Sequence, residues 1–278
     1  MTGSCVRIPG VPDLSGGFAI GMWVLPTLHL REPQGLATIG DVALELRDGR
    51  VTLGDLVLDP PLALRTWAFV SASVAADGRA TLAARPQSEL HGGPARRAEG
   101  TVALGAVAGE LLLGHRFNGK LDAPRLFARA MDADQVEHAT GELARWDFGL
   151  DIPTSRVTDV AGDLHGATLQ RPMRGATGHD WDGTEVAWPH ARSGYGAIHF
   201  HDDDLDDAGW EPSFSWTVPD DTPSGVYAAH LRTGDAEDFV PFTVRPRAGR
   251  PTSDVAVLLP TFSYLAYANE QLLAGGRR

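Results

Sequence analysis

The architecture of this chain is set by RTWAFVSASVAADGRATL, residues 65–82. The stretch holds an apolar run from Trp67 to Val74, the turn pair Asp77-Gly78, and a second run from Ala80 to Ala84. An Asp-Gly pair between two such runs indicates a β-hairpin, because the central residues of the tight turn need a positive φ. The stretch therefore predicts two antiparallel strands.

Similar signals lie on both sides of this hairpin. Upstream are the apolar run 18–25 and the alternating run 38–47, which ends at the turn pair Asp48-Gly49. Downstream, the turn pair Asn118-Gly119 precedes a run at 120–128. Short strands at this spacing predict a sandwich of two antiparallel sheets, so the chain is expected to be mainly β.

Residues 85–99 interrupt the strand pattern. They are polar and contain Gly92-Gly93-Pro94 and the pair Arg96-Arg97. This composition predicts a solvated loop. The alternative interpretation is a contact of the two arginines with a phosphate group or a protein partner.

A second, smaller β module is predicted further along the chain. Its strand candidates are Gly196–Phe200, Ser213–Val218, Val226–Arg232 and Phe239–Val244. Three or four short strands joined by turns indicate an immunoglobulin-like module.

The last residues predict a change of architecture. The apolar run Asp254–Leu259 is typical of a buried strand, and Leu265–Leu273 contains good helix formers. Strand, loop and helix together form the truncated βα start of an α/β domain. The predicted domains are therefore 1–175, 176–248 and 249–278.

We expect this last segment to pack poorly, since a parallel sheet needs several βα units. The apolar side chains expected to stay partly exposed are Val255, Val257, Leu259 and Phe262.

Composition excludes several classes of function. Asp and Glu outnumber Lys and Arg by 36 to 24, for a net charge of −12, which argues against nucleic acid and anionic membranes as partners. The single cysteine, Cys5, rules out an internal disulfide framework. The absence of a signal peptide and of an apolar run of about 18 residues predicts a cytoplasmic protein.

The polar run His199–Asp207, HFHDDDLDD, is one candidate metal site. His199 and His201 share one face of a strand, and two imidazoles with nearby carboxylates can bind a divalent metal. The alternative is an acidic turn whose Asp side chains cap backbone amides. Three further histidines, His165, His179 and His190, follow no ligand spacing and are expected to be packed or exposed individually.

Tyr264 and Tyr267 form a second candidate site. They lie three residues apart, after the predicted strand and at the start of the predicted helix. Phenolate oxygens suit ferric iron, and the carboxyl ends of strands in α/β folds are where ligands bind. The alternative is core packing, because aromatic residues at i and i+3 often line the apolar face of a helix.

Two resemblances extend these predictions. The stretches FAIGMWVLP (18–26), RTWAFVSASVAADGRATL (65–82) and NGKLDAPRLFARAMDADQVEHA (118–139) resemble the laminin-G-like or concanavalin-A-like jelly roll. The stretches WDFGLDIPTSRVTDVAGDLHGATLQRPMRGATGHDW (146–181), YGAIHFHDDDLDDAGW (195–210), SFSWTVPDDTPSGVYAAHLR (213–232) and VLLPTFSYLAYANE (257–270) resemble the large subunits of N,N-dimethylformamidases.

The second resemblance implies an iron-dependent amidohydrolase that converts dimethylformamide and water to formate and dimethylamine. In that family, the catalytic domain follows the β modules and holds one iron through two tyrosines and a glutamate. The large subunit assembles with a small helical subunit into larger oligomers.

On this chain, the resemblance maps one iron ligand to Tyr267, or to Tyr264 as second choice. The other ligands are expected beyond Arg278, so the chain alone is expected to hold no stable iron and to be inactive. The alternative function is a non-catalytic laminin-G-like binding or assembly protein, which calcium-dependent glycan binding would favour.

Overall fold

The computed structural model describes residues 3–202, 211–212, 214–234 and 236–266. The chain divides into two units, Met1–Asp206 and Asp207–Arg278.

Within the described residues of the first unit, sixteen strands pair antiparallel in one sheet. In chain order, these strands are β1 (Cys5–Val11), β2 (Gly17–Pro26), β3 (Gln34–Ile39), β4 (Val42–Arg47), β5 (Arg50–Leu53), β6 (Leu56–Leu58), β7 (Ala68–Ala75), β8 (Arg79–Pro86), β9 (Arg96–Thr101), β10 (Gly109–Leu113), β11 (Gly119–Phe127), β12 (Ala144–Asp147), β13 (Arg156–Asp159), β14 (Gly166–Leu169), β15 (Met173–Ala176) and β16 (Ala197–Phe200). A short helix, α1 (Glu89–Gly92), and 3-10 turns at Ala133–Gln135 and Arg192–Tyr195 complete the unit.

The sheet nearly closes on itself. Its hydrogen-bonded order is β6-β5-β4-β3-β10-β1-β14-β13-β12-β11-β2-β7-β8-β9, with β16 on β11 and β15 on β16. The two ends of this path meet, since β6 contacts both β8 and β9. One large apolar core takes side chains from both halves of the path, for example Leu44 from β4 and Leu82 from β8. The predicted mainly β sandwich is therefore confirmed, while its jelly-roll connectivity stays a prediction.

Strand β2 is buried on both faces. Ile20 and Met22 belong to the large core, whereas Ala19 and Trp23 belong to a smaller cluster on the opposite face. Successive side chains of a strand point to opposite faces, so a strand between two clusters is apolar at every position. This explains why residues 18–25 read as a continuous apolar run.

Gly21 lies on the smaller-cluster face of β2, where a side chain has no room. A Cβ atom there would lie 2.7 Å from both Phe69 Cζ and Val136 Cγ1. We expect Gly21→Ala to lower the free energy of unfolding by about 1–3 kcal/mol, because the neighbours must shift to admit it. Urea denaturation of this variant beside Gly16→Ala tests this, since a Cβ at Gly16 meets nothing within 4 Å. Equal midpoints for the two variants would contradict the packing argument.

The predicted loop at 85–99 is wrong in part, because strand β9 begins inside it at Arg96 and pairs with β8. Strand β9 ends the path of the sheet, so its exposed residues are polar and lack the apolar alternation that marks an inner strand. Arg96 donates to the carbonyl of Pro61 at 3.2 Å, and Arg97 forms an ion pair with Asp134 at 2.8 Å. Both arginines therefore have partners within the chain.

The predicted strand at Gly196–Phe200 is formed, but in the first unit rather than in the second module. As β16, it pairs with β11, where Leu121 lies opposite Ile198, and with β15. Ile198 and Phe200 are fully buried in the large core, which holds the strand there. The first unit therefore runs to Asp206, not to the predicted boundary at residue 175.

The described residues of the second unit form a hairpin, β17 (Gly225–Thr233) and β18 (Ala236–Val244), and a short helix, α2 (Thr261–Ala266). The hairpin confirms the predicted strands at 226–232 and 239–244. The predicted strand at Ser213–Val218 is not formed over 214–218, where Phe214 and Trp216 are exposed and no buried face exists for a strand to cover. An immunoglobulin-like arrangement of the module stays a prediction.

The predicted strand at Asp254–Leu259 is also not formed, because no described strand pairs with this segment. Val255 and Val257 are 74% and 78% exposed, and Leu259 is half-buried, which confirms the expected exposure at these three positions. The side chain of Phe262 and the predicted helix end at Leu273 lie outside the described residues. The described helices are four and six residues long, so none of them has the length to cross a membrane.

Candidate functional site

Of the two tyrosines predicted to bind iron, the structure describes one. Tyr264 lies on α2, is 65% exposed, and donates its backbone N–H to the carbonyl of Pro260 at 3.2 Å. Tyr267 lies outside the described residues. The assignment of one iron ligand to Tyr267, or to Tyr264 as second choice, therefore stays a prediction.

His199 and His201 are held in the first unit. His199 lies in β16 opposite Lys120 and Met173. His201 follows the strand, donates its backbone N–H to Ser4 Oγ at 2.9 Å, and accepts from that hydroxyl at 3.0 Å. Within the described part of the chain, neither histidine joins a group of three potential metal ligands. Asp203 to Asp207 of the acidic run lie outside that part, so metal binding here stays a prediction.

A different cluster does bring three ligand types together. Asp122, His179 and Asp180, named here the Asp–His–Asp cluster, each place one potential ligand atom within 4.8 Å of the others. Asp122 Oδ2 lies 2.7 Å from His179 Nδ1 and accepts the backbone N–H of His179 at 3.1 Å. The side chain of Asp122 is only 7% exposed, so this hydrogen-bonded pair is largely removed from water.

The local backbone places Asp122 where His179 can reach it. Asp122 lies in β11 between Trp23 of β2 and Ala197 of β16, at the start of an irregularity in the β11·β2 pairing. The next residue, Ala123, has φ of 47°. A β-bulge re-aims a side chain and is frequent beside functional sites.

The segment that carries His179 is tied to the sheet on each side. Lys120 Nζ donates to Thr177 Oγ1 at 2.6 Å, and the Gly178 N–H donates to the carbonyl of Gly194 at 2.9 Å. The side chain of Gln87 donates to the carbonyl of His179. These bonds fix the backbone of residues 177–179 against β11 and its neighbours.

Two tryptophans orient the imidazole of His179. Trp23 stacks on it with ring centroids 4.6 Å apart and an interplanar angle of 14°. Trp67 meets it edge-on at 6.4 Å and 77°. With the Asp122 contact, these rings leave the imidazole little freedom to rotate.

The electrostatics of the cluster are dominated by carboxylates. Asp180 is exposed at the surface, but its partial removal from water raises its pKa, and the negative charges of Asp122 and Asp147 raise it further against the opposing effect of His179. Among the ion pairs between described residues, none joins Asp122 or Asp180 to a lysine or arginine. The cluster therefore concentrates negative charge that one imidazole partly offsets.

Sequence reasoning missed this cluster. It treated His179 as a histidine with no ligand spacing, because its partner Asp122 lies 57 residues earlier. The sequence carried no local signal for it, because in KLDAPRLF Asp122 shares the polar phase of the strand with Lys120.

Comparison with known proteins gives consistent matches. A family model described as N,N-dimethylformamidase beta subunit-like, C-terminal, matches residues 173–277. The N,N-dimethylformamidase beta subunit of Paracoccus aminophilus is 33% identical over 98% of this chain and 43% of its own length. That of an Alcaligenes species is 44% identical over 56% of this chain and 22% of its own length.

Among solved structures, a candidate carbohydrate-binding protein of Bacteroides ovatus aligns with a TM-score of 0.46 and 14% identity. The alignment covers 60% of this chain and 57% of that one.

The chain spans less than half the length of the curated relatives it matches. The family model covers His179, Asp180, Tyr264 and Tyr267, whereas Asp122 lies before it. The resemblance predicted from the sequence is confirmed: over 98% of its length, this chain is similar to the β subunit of an N,N-dimethylformamidase.

Proposed function

We propose that this chain is part of the β subunit of an iron-dependent amidohydrolase. The complete enzyme would hydrolyse small linear amides such as N,N-dimethylformamide to formate and an amine. The observation that supports this proposal is the 33% identity with the Paracoccus aminophilus subunit along 98% of the chain. We further propose a cytoplasmic enzyme in which a small helical subunit joins this one in a larger oligomer.

The proposed iron ligands of this chain are Tyr267 and, as second choice, Tyr264. A phenol oxygen has the chemistry that hard ferric iron prefers. Of these two phenols the structure describes one, that of the exposed Tyr264, and a single phenol does not hold iron. The described residues therefore do not form an iron site by themselves. We propose that the remaining ligands lie in the part of the complete subunit that corresponds to the region of the relatives not covered by this chain.

Assays of the complete protein that carries this sequence, together with its partner subunit, test the proposal. We expect it to release formate and dimethylamine from dimethylformamide and to contain iron, and we expect the 278-residue chain to do neither. Failure of the complete protein to hydrolyse any small amide would contradict the proposal. Calcium-dependent glycan binding without amide hydrolysis would instead favour the alternative of a binding protein.

The variant Tyr267→Phe in the complete protein tests which of the two tyrosines binds iron. We expect at least a tenfold fall in kcat, about 1.4 kcal/mol in activation free energy, with a loss of bound iron, because phenylalanine keeps the ring and removes the donor. The matched control is Tyr227→Phe, whose hydroxyl donates to the carbonyl of Pro223 in the second unit. If Tyr267→Phe keeps its iron while Tyr264→Phe loses it, the ligand is Tyr264.

A further inference from the structure

We infer that the Asp–His–Asp cluster is a binding site for a divalent transition-metal ion. It supplies one oxygen from Asp122, one imidazole nitrogen from His179 and one oxygen from Asp180. Three protein ligands with further positions open to water or to a ligand make a typical incomplete coordination shell. The site uses none of the residues proposed to hold iron.

The distance between the donor atoms of Asp122 and His179 suits a metal ion bound between them after a small movement of the pair. Asp122 Oδ2 and His179 Nδ1 lie 2.7 Å apart, joined by a hydrogen bond. With metal bonds of about 2.0–2.2 Å, two donors in tetrahedral coordination lie about 3.3–3.6 Å apart, so the pair has to open by about 0.6–0.9 Å. In the metal-bound form the neutral imidazole of His179 would carry its proton on Nε2, so that the lone pair of Nδ1 faces the ion. Asp180 is exposed and can rotate to complete the set.

Gly178 keeps open the space between the two carboxylates. A Cβ atom at this position would lie 2.5 Å from Asp122 Oδ2 and 3.1 Å from Asp180 Oδ1. The gap exists because Gly178 has no Cβ atom. An ion between the two oxygens would occupy the region beside the Gly178 backbone.

Charge favours occupation of this gap by a cation. The carboxylates of Asp122 and Asp180 place oxygen atoms within 4.8 Å of each other, and among the described residues no lysine or arginine forms an ion pair with either, so their like charges repel. A divalent ion offsets two negative charges at once. Because the imidazole of His179 is held by Trp23 and Asp122, little side-chain entropy is lost on binding.

The donor set also selects the kind of ion. Ca²⁺ and Mg²⁺ prefer shells made of oxygen alone. Imidazole nitrogen suits Zn²⁺, and carboxylates are accepted by both Zn²⁺ and Mn²⁺. A site with one nitrogen and two oxygens therefore fits Zn²⁺ or Mn²⁺ better than Ca²⁺.

Calorimetric titration of the chelator-stripped 278-residue chain with Zn²⁺ tests this inference. We expect one site tighter than any other in the chain, and at least a tenfold rise of its Kd in Asp180→Asn. Asp180 is exposed, so this variant keeps the fold, which circular dichroism checks. Gly178→Ala fills the gap and is expected to weaken the same site by at least tenfold.

The matched control is His190→Ala. His190 is an exposed histidine of the same segment that lies 3.3 Å from Glu185, so it offers a surface imidazole beside a carboxylate outside the cluster. We expect its removal to leave the tight site unchanged. A second readout is the electron paramagnetic resonance signal of Mn²⁺, which should broaden on binding to the native chain and less so to Asp180→Asn.

Three results would overturn the inference. They are no Zn²⁺ binding by the native chain up to millimolar concentration, a tight site that survives both Asp180→Asn and His179→Gln, and preference for Ca²⁺ over Zn²⁺. None of these measurements uses amide hydrolysis or iron content. Failure of this inference and failure of the proposed function are therefore distinguishable.

Discussion

Asp159→Ala is expected to lower the free energy of unfolding of the first unit by about 3–5 kcal/mol. The carboxylate of Asp159 is buried and accepts four backbone N–H groups. The donors are Arg145 (2.9 Å), Ala161 (2.9 Å), Gly162 (3.1 Å) and Leu164 (3.0 Å). An N–H group left without a partner costs about 1–3 kcal/mol when buried, and water can reach some of these four, so the total stays below the sum.

Urea denaturation of the native chain and the variant measures this effect. The matched control is Asp163→Ala, which removes an exposed carboxylate from the same turn and should stay within about 0.5 kcal/mol of the native value. A loss below about 1 kcal/mol for Asp159→Ala would show that water replaces the carboxylate at little cost.

The same carboxylate links stability to pH. Burial tends to raise the pKa of Asp159, but the backbone N–H groups that it accepts lower it overall. A folded-state pKa below the unfolded value of about 3.9 means that the ionised form stabilises the fold. This contribution is complete above the unfolded pKa and is lost as the pH falls through the folded pKa. Acid titrations of Asp159→Asn should therefore show a weaker dependence of stability on pH in that range.

Most of the correct predictions of the fold came from residue pairs that are typical of tight turns. At Asp48-Gly49, the two residues between β4 and β5 have φ of 48° and 76°, as the pair predicted. Pairings between distant segments were harder to predict. Strand β9 was missed because an edge strand is polar, and β16 was assigned to the wrong unit because its burial against β11 depends on residues about 80 positions earlier.

In the candidate sites, too, residues close together in the sequence could be predicted, whereas residues that meet only in the fold could not. Tyr264 and Tyr267 could be proposed as ligands because they are neighbours in the sequence and lie in a stretch that resembles a known family, and this role stays a prediction. Asp122 and His179 are 57 residues apart and meet through a bulge in β11, so no local spacing could join them.

Trp146→Ala is expected to cost about 3–5 kcal/mol of unfolding free energy. Trp146 lies in β12, is fully buried in the large core, and is the largest of the fully buried side chains described. Its removal leaves a cavity that the surrounding strands fill only in part. Its indole Nε1 also donates to the carbonyl of Leu164 at 2.6 Å, which would lose its partner.

Two variants divide this cost into packing and hydrogen bonding. Trp146→Phe keeps most of the apolar volume and removes the donor, so a loss of about 1–3 kcal/mol is expected. Trp181→Ala is the control, since Trp181 also donates its indole N–H to a carbonyl, that of Glu185 at 3.0 Å, but is 40% exposed. A cost for Trp181→Ala as large as that for Trp146→Ala would contradict the packing argument.

Trp146 and Asp159 are expected to act as one unit. They lie opposite each other in the β12·β13 pair, and they bind the same residue, Trp146 through the carbonyl of Leu164 and Asp159 through its N–H. Either substitution releases the turn at 160–165 from one side, so the second substitution removes less stabilising free energy than it does alone. We expect the double variant to be less destabilised than the sum of the single variants by about 0.5–3 kcal/mol. Additivity within about 0.5 kcal/mol would show instead that the two side chains fasten this turn independently.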